Sequence, residues 1–370
     1  MQRIACDGDL DQLDAAVSGL PDAPAVFLLH PAEGRPYLAR TTLLRRRLLR
    51  LLGERAAPSR MLNLRHTVRT IEYCRTGSGL EAALRLYELA RVHFRENYLE
   101  TLRLRLPAYL KLTLSNPFPR SMITTHTTGA RSLCLGPFRS RASAERFEAA
   151  FLDLFQVRRC LEDLHPAPDH PGCMYGEMSL CARPCQQAVS ADEYAGEVHR
   201  AAEFLASGGR SLLHSIQAAR DGCSQQMDFE EAARQHRRLE KVEQVLKLRD
   251  EMARDVEHLH GITVTRSAVP GAVELGFLRA GHWQGFQTLA LDATDGKPVS
   301  LDRRLRQQID AAGSRSAPPR ERQETLALLS RWAYSSWRDG EIVLFDDYNQ
   351  VPVRRLVHAV HNQVAAGQSD

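Results

Sequence analysis

The 370-residue chain has no stretch of about 18 consecutive apolar residues, so no segment is long enough to span a bilayer as a helix. Its first residues, MQRIACDGDLDQLDAAVSG, are acidic and lack the basic region and apolar run of a secretory leader. These absences predict a cytoplasmic protein without membrane contact. In that reducing compartment disulfides are rare, and clustered cysteines point to metal binding or catalysis. Cysteine pairs separated by two residues, the usual mark of a zinc ribbon, are missing too.

What is there is the composition of a soluble globular protein, 43% hydrophobic and 25% charged. The length exceeds what one core of roughly 100–200 residues accommodates, which predicts two or three domains. The net charge of +4 conceals an asymmetry: residues 1–160 carry 25 Lys+Arg against 15 Asp+Glu, and the remainder 24 against 30. Arginine dominates the basic part, in LLRRRLLRLLGER (Arg45, Arg46, Arg47, Arg50, Arg55), then Arg60, Arg65, Arg69, Arg103 and Arg105. Bidentate guanidinium contacts suit phosphate, so such a face can hold a nucleic-acid backbone, with Arg45, Arg46 and Arg50 as its candidate DNA contacts. The alternative is a set of solvated arginines on an arginine-rich chain.

Local patterns give an order of elements. APAVFLLHP, the turn signal AEGRP and YLAR read as strand, turn, strand. Leu44, Leu48, Leu51 and Leu52 then fall at helical spacing, with Gly53 as the stop. NLRHTVRTIEYCRT alternates as a strand does, and an amphipathic helix opens behind Ser78. Further on, Ser143 ahead of Phe147, Ala150, Phe151, Leu154 and Phe155 signals a core helix. Ser190 and Glu193 stand at capping-box spacing, and that helix closes on Gly208-Gly209. From Met227 to Leu259 the chain contains neither Gly nor Pro and is dense in charge. AVELGFLRAGHWQGFQTLAL predicts a hairpin turning at Ala280-Gly281, and the segment after it a helix, turn and strand. Asp292, Asp295, Asp346 and Asp347 border turns, where solvated aspartates are the default.

The segments AVF and YLAR, ten residues apart from Phe27 to Tyr37, with Arg47 ten further on, resemble a worn GIY-YIG nuclease domain of the bacterial UvrC excinuclease family. The resemblance implies a small α/β nuclease domain acting on DNA. Tyr37 would activate water, Arg47 would stabilise the phosphate, Arg40 would take the place of a tuning lysine, and Glu88 would hold one Mg2+ or Mn2+ ion. Position-by-position alignment places Leu86 where the metal glutamate belongs, and a two-residue shift brings in Glu88. The pattern also departs at Phe27, which lacks the first tyrosine's hydroxyl, at Ala39 for glycine, at Leu51 for a third tyrosine and at Leu99 for an asparagine. Arg40 keeps a charge but cannot accept a proton. The resulting expectation is a weakened or lost incision site, the alternative an active DNA-nicking endonuclease.

Cys160, Cys173, Cys181 and Cys185 follow at x12, x7 and x3 spacing on a proline-rich loop. Four thiolates so gathered suit one inorganic centre, Zn2+ or an iron–sulfur cluster. Resemblance to the four-cysteine region of the UvrC family selects a 4Fe-4S cluster. Cys6, Cys74, Cys134 and Cys223 are scattered and read as ordinary thiols. The string Asp228-Phe229-Glu230-Glu231-Ala232-Ala233-Arg234 resembles the UVR motif, by which UvrC proteins engage the UvrB helicase. Phe229, Ala232 and Ala233 would form the apolar contact, with Glu230 and Arg234 beside them; a helix closing on its own neighbours is the competing reading.

The family resemblance spans residues 20–260 and predicts a multi-domain α+β protein that binds double-stranded DNA and a UvrB-like partner. Its expected parts are a GIY-YIG-like domain (1–105), a connecting and four-cysteine region (106–190), a helical UVR segment (191–260) and a small α/β module (261–370). That last module has about 110 residues, too few for both an RNase H-like nuclease and paired helical hairpins, so a second incision activity is expected to be missing.

Overall fold

The computed structural model describes residues 1–6, 10–54, 62–128, 131–291 and 300–368. Arg55, Arg60, Asp292 and Asp295 lie outside the described residues. The described chain builds three four-stranded antiparallel sheets, joined by helices and by one shared apolar cluster.

The N-terminal sheet contains β1 (Gln2–Ala5), β2 (Ala25–Pro31), β3 (Tyr37–Thr41) and β4 (Val68–Arg75) in the order β1-β4-β2-β3. Alternation along β2 and β3 sends Phe27, Leu29, Tyr37 and Ala39 to one face, under α1 (Leu10–Ser18) and α2 (Leu44–Leu52). On α2, Leu44, Leu48, Leu51 and Leu52 are buried at the predicted spacing, leaving Arg45, Arg46 and Arg50 exposed. The opposite face carries α3 (Gly79–His93), capped by Ser78 Oγ, which accepts from the Glu81 N–H at 3.1 Å. The predicted basic face is corrected at Arg65. This residue is buried and makes paired 2.6 and 2.7 Å hydrogen bonds to Asp14, tying α1 to the chain after α2. Those bonds hold the Asp14 carboxyl below its ordinary range.

After α4 (Tyr98–Leu102) comes a middle sheet of β5 (Ala108–Thr113), β6 (Ser121–Thr124) and β7 (Ser132–Phe138). Against it pack α5 (Arg141–Leu152) and, beyond the short α6 (Met174–Glu177), α7 (Ala191–Ala206), α8 (Arg210–Gln225) and α9 (Phe229–Lys247). Phe147, Phe151, Phe155 and Phe204 contact one another ring to ring in this core. The N-cap of α5 is Ser140, not Ser143: the Ser140 hydroxyl accepts from the Ser143 N–H, so Ser143 stands inside the first turn. The capping box at Ser190 and Glu193 forms as predicted. β8 (Arg254–Asp255) returns to β7 as the sheet's last strand.

The C-terminal sheet has the order β11-β10-β9-β12, from β9 (His260–Arg266), β10 (Ala272–Arg279), β11 (His282–Ala290) and β12 (Gly340–Phe345). The hairpin turns at Ala280-Gly281 as predicted, both at positive φ, 49° and 70°. One face is covered by α10 (Leu301–Ala311) and α12 (Val353–Gln368), the other by α11 (Pro319–Ala333). α11 is the keystone: Leu326, Leu329 and Trp332 meet Leu84 and Tyr87 of α3, Tyr109 of β5 and Trp283 of β11 in one cluster.

A candidate nucleic-acid interface and a four-thiol cavity

β3 and α2 bring two of the sequence candidates together. Arg47 Nη2 donates to the Tyr37 hydroxyl at 3.1 Å, and the Tyr37 ring stands 6.1 Å from that of buried Phe27. Ala39 faces Phe27 across the β2–β3 ladder, and Leu51 is buried in the same core. Arg40, at the next pleat, projects to the other side, where its guanidinium stands 6.0 Å from the Trp337 ring. Arg46 pairs with Asp22 at 3.1 Å. Glu88 lies elsewhere, bonded to Arg85 at 2.9 Å and lining a separate cleft with Arg91 and Arg95. Leu86 is half-buried on the same helix, and Leu99 packs against the shared central cluster.

Arg40, Arg46, Arg47 and Arg50 line a cleft of about 750 Å³, whose other walls are Thr76 to Gly79 and the pair Trp337 and Asp339. Sequence reasoning missed these last residues. The available signal was a tryptophan in the turn-like SSWRDG, a costly side chain to expose.

The four cysteines of the proline-rich loop line one small, largely enclosed cavity with Arg158, Arg159, Tyr175 and Arg183. Cys181 and Cys185 are buried, Cys160 and Cys173 half-buried. Burial pushes the Cys181 thiol up, the Arg183 N–H opposes that, and the neighbouring thiols add to it. Burial also raises Cys185, followed by the charge of Cys173. Two thiols already accept hydrogen bonds, Cys160 from Arg158 Nη1 and Cys181 from the Arg183 backbone, both at 3.4 Å. Arg158 is almost wholly buried, and its Nη2 has no partner. Among the described residues no group of three His, Cys, Asp or Glu is placed to hold a single metal ion.

α8 and α9 form an antiparallel hairpin. Leu239, Val242 and Val245 anchor the far end of α9 in the middle core, while Phe229 at its first turn is 68% exposed and Met227 beside it 77%. Asp228 caps the helix through a 3.0 Å bond from the Glu231 N–H. Glu230 and Ala233 are exposed, Ala232 is half-buried, and Arg234 pairs with Glu231. Asp346 is not solvated alone: it bridges Arg210 at 2.9 Å and Arg254 at 2.6 Å, while Asp347 caps the turn at Asn349. No helix among the described residues is long and apolar enough to cross a membrane.

Comparison with known proteins places the middle of this fold. Residues 108–204, from β5 into α7, match the family described as UvrC/Cho excinuclease, middle domain. Along most of its length the chain is also similar to proteins of the UvrABC system. It is 26% identical over 286 residues to UvrABC system protein C of Moorella thermoacetica, an alignment covering 77% of this chain and 46% of that protein. The namesake proteins of Lachnospira eligens and Rhodospirillum rubrum are 24% and 25% identical, over 78% and 84% of this chain and 48% of each relative. The chain thus spans about half the length of these curated relatives. No solved structure matches it.

Proposed function

We propose that this protein serves nucleotide excision repair by binding DNA through the arginines of β3 and α2 and engaging a UvrB-type partner through the tip of the α8–α9 hairpin, with incision at Tyr37 weakened or lost. The observation that carries the partner reading is Phe229, 68% exposed on a helix whose inner end is locked in the core. A large aromatic projecting on a fixed scaffold is the kind of anchor that protein interfaces use. The short apolar contact it offers, flanked by Glu230 and Arg234, suits another amphipathic helix.

The weakened incision site is supported by what surrounds Tyr37. Its hydroxyl contacts Arg47, which donates but cannot take a proton, and its ring neighbour is the apolar Phe27. Glu88, the candidate metal carboxylate, is paired with Arg85 and lines a different cleft. The second reading, an active nickase, is favoured by the 3.1 Å Arg47–Tyr37 contact, which couples the candidate nucleophile activator to a phosphate-binding cation.

We infer that the four-thiol cavity holds a 4Fe-4S cluster, with Zn2+ as the alternative, the choice following the family resemblance. The four sulfurs line one small cavity, as a single inorganic centre needs. The buried Arg158 guanidinium donating to Cys160 and the Arg183 N–H donating to Cys181 suit an anionic iron–sulfur centre. Cys160, Cys173, Cys181 and Cys185 would hold it, and it would supply a rigid cross-link for this loop.

Supercoiled plasmid with Mg2+ or Mn2+, with and without a UvrB-type protein, tests the incision reading. The expected result is DNA binding with no more than trace relaxation. Rapid nicking abolished by Tyr37→Phe would establish the second reading instead.

A further inference from the structure

The cleft between the N-terminal sheet and the turn ahead of β12 has a wall outside the residues on which the family resemblance rests. We infer that this cleft holds an unpaired nucleotide of DNA, its phosphate on the arginine wall and its base stacked on Trp337. The inference rests on the DNA-binding reading above and adds the form of DNA selected.

The charge of the lining comes first. The lining carries Arg40, Arg46, Arg47 and Arg50 and one acidic residue, Asp339, while Asp22 beside the cleft pairs with Arg46 at 3.1 Å. Both carboxylate oxygens of Asp339 are engaged, one by Trp332 Nε1 at 2.8 Å and the other by the Gly79 N–H at 2.5 Å. That carboxylate secures the C-terminal turn to the first residue of α3. The remaining balance favours an anion, and planar guanidinium groups suit phosphate oxygens.

Thr76 is the second observation. It lines the cleft, is 3% exposed, and its Oγ1 has no hydrogen-bond partner. A buried hydroxyl left unsatisfied is costly, and a bound oxyanion supplies the acceptor it lacks.

Trp337 is the third. It is 43% exposed, whereas Trp283 and Trp332 are 8% and 0% exposed. Its ring rests on the backbone at Gly79, where an added Cβ would meet Trp337 at 2.9 Å. Held from beneath and placed 6.0 Å from Arg40, it joins an aromatic surface to a cation within one cleft, the pairing that single-strand binding sites use. A paired base is sequestered in its stack and cannot reach such a wall; an unpaired one can.

The test uses the full chain and three labelled DNAs of equal length: a perfect duplex, the same duplex with a central unpaired bubble, and a single strand. Fluorescence anisotropy is expected to show tighter binding to the bubble and single strand, with quenching of tryptophan emission, to which exposed Trp337 is the accessible contributor. Trp337→Ala should weaken binding to both by roughly 5- to 150-fold, the range of one base–aromatic stack, while changing duplex binding less than about twofold. Trp337→Phe should recover part of the loss, and Thr76→Val should weaken all unpaired DNA without changing the circular dichroism spectrum. Equal affinity for bubble and duplex, or a Trp337→Ala protein that discriminates as well as the parent, overturns the inference while leaving DNA binding intact. Failure to bind any of the three DNAs overturns both.

Discussion

The phenol of Tyr87 on α3 donates a 2.7 Å hydrogen bond to Glu324 Oε2 on α11, and the side chain of Glu324 is 4% exposed. Tyr98 on α4 donates to the same carboxylate at 2.7 Å, and Arg320 closes the set at 2.9 Å. Burial raises both tyrosines above the ordinary phenol range, with the bond to the carboxylate next in effect, so they remain donors at neutral pH. This carboxylate is the polar centre of the contact between the N-terminal and C-terminal sheets.

Glu324→Ala leaves two buried phenols without an acceptor and is expected to cost about 2–4 kcal/mol. Chemical denaturation should show the loss as a lower midpoint, with Glu324→Gln intermediate because it keeps an acceptor oxygen. A variant as stable as the parent would show that the carboxylate is solvated when the chain is free.

Phe229→Ala and Leu239→Ala lie on the same helix but should behave oppositely. Leu239 is buried in the middle core, and its truncation is expected to cost about 2–5 kcal/mol. Phe229 is exposed, so Phe229→Ala should change stability by less than about 0.5 kcal/mol. Its loss should weaken retention by an immobilised UvrB-type protein by roughly 10-fold or more, on the order expected of an interface anchor. Unchanged retention would point to the hairpin closing only on itself.

Anaerobically purified protein should contain iron and show a broad visible absorption band. Cys181→Ser and Cys185→Ser should each lower iron content and bleach that band, because each would remove one of the four proposed ligands. Stoichiometric zinc with no iron would refute the cluster assignment. Chelation should lower the thermal midpoint, since a centre bound only by the folded chain stabilises it.

The C-terminal module should weaken in mild acid. Burial, followed by His258 and Arg279, holds His260 below the usual imidazole range; burial, followed by Arg322, does the same for His282. Each Nδ1 accepts a 3.0 Å bond from a backbone N–H, of Ala280 and Ala317 respectively, which a protonated ring cannot do. Both residues therefore bind protons more readily unfolded than folded. Their contribution is full above the unfolded pKa of about 6.5 and declines as pH falls through it. Urea midpoints should drop between about pH 7.5 and 5.5, and the double variant His260→Gln, His282→Gln should flatten that slope.

Local patterns were legible wherever a short-range rule decides the outcome. The leucine spacing of α2, the Ser190 capping box and the paired positive-φ residues at Ala280-Gly281 all appear as read. β1 and the middle strands β5 to β7 were not legible, because strand identity there depends on partners far along the chain, as when β8 returns to β7. Arg65 misled for a related reason: its charge suggested solvent or phosphate, and only folding shows Asp14 bound to it.

The sequence by itself determined the resemblance to the UvrC family, the four-cysteine spacing and the amphipathic helices, since each is written in residue type and interval along one segment. Tertiary structure alone decided which side chains share a site. It joined Arg40 to Trp337 and Tyr87 to Glu324, partners hundreds of residues apart, and it turned Glu88 toward Arg85 in a cleft apart from the arginine wall. The reason is physical: a cleft between two sheets arises from the packing of α11 across both, and no local interval encodes that packing.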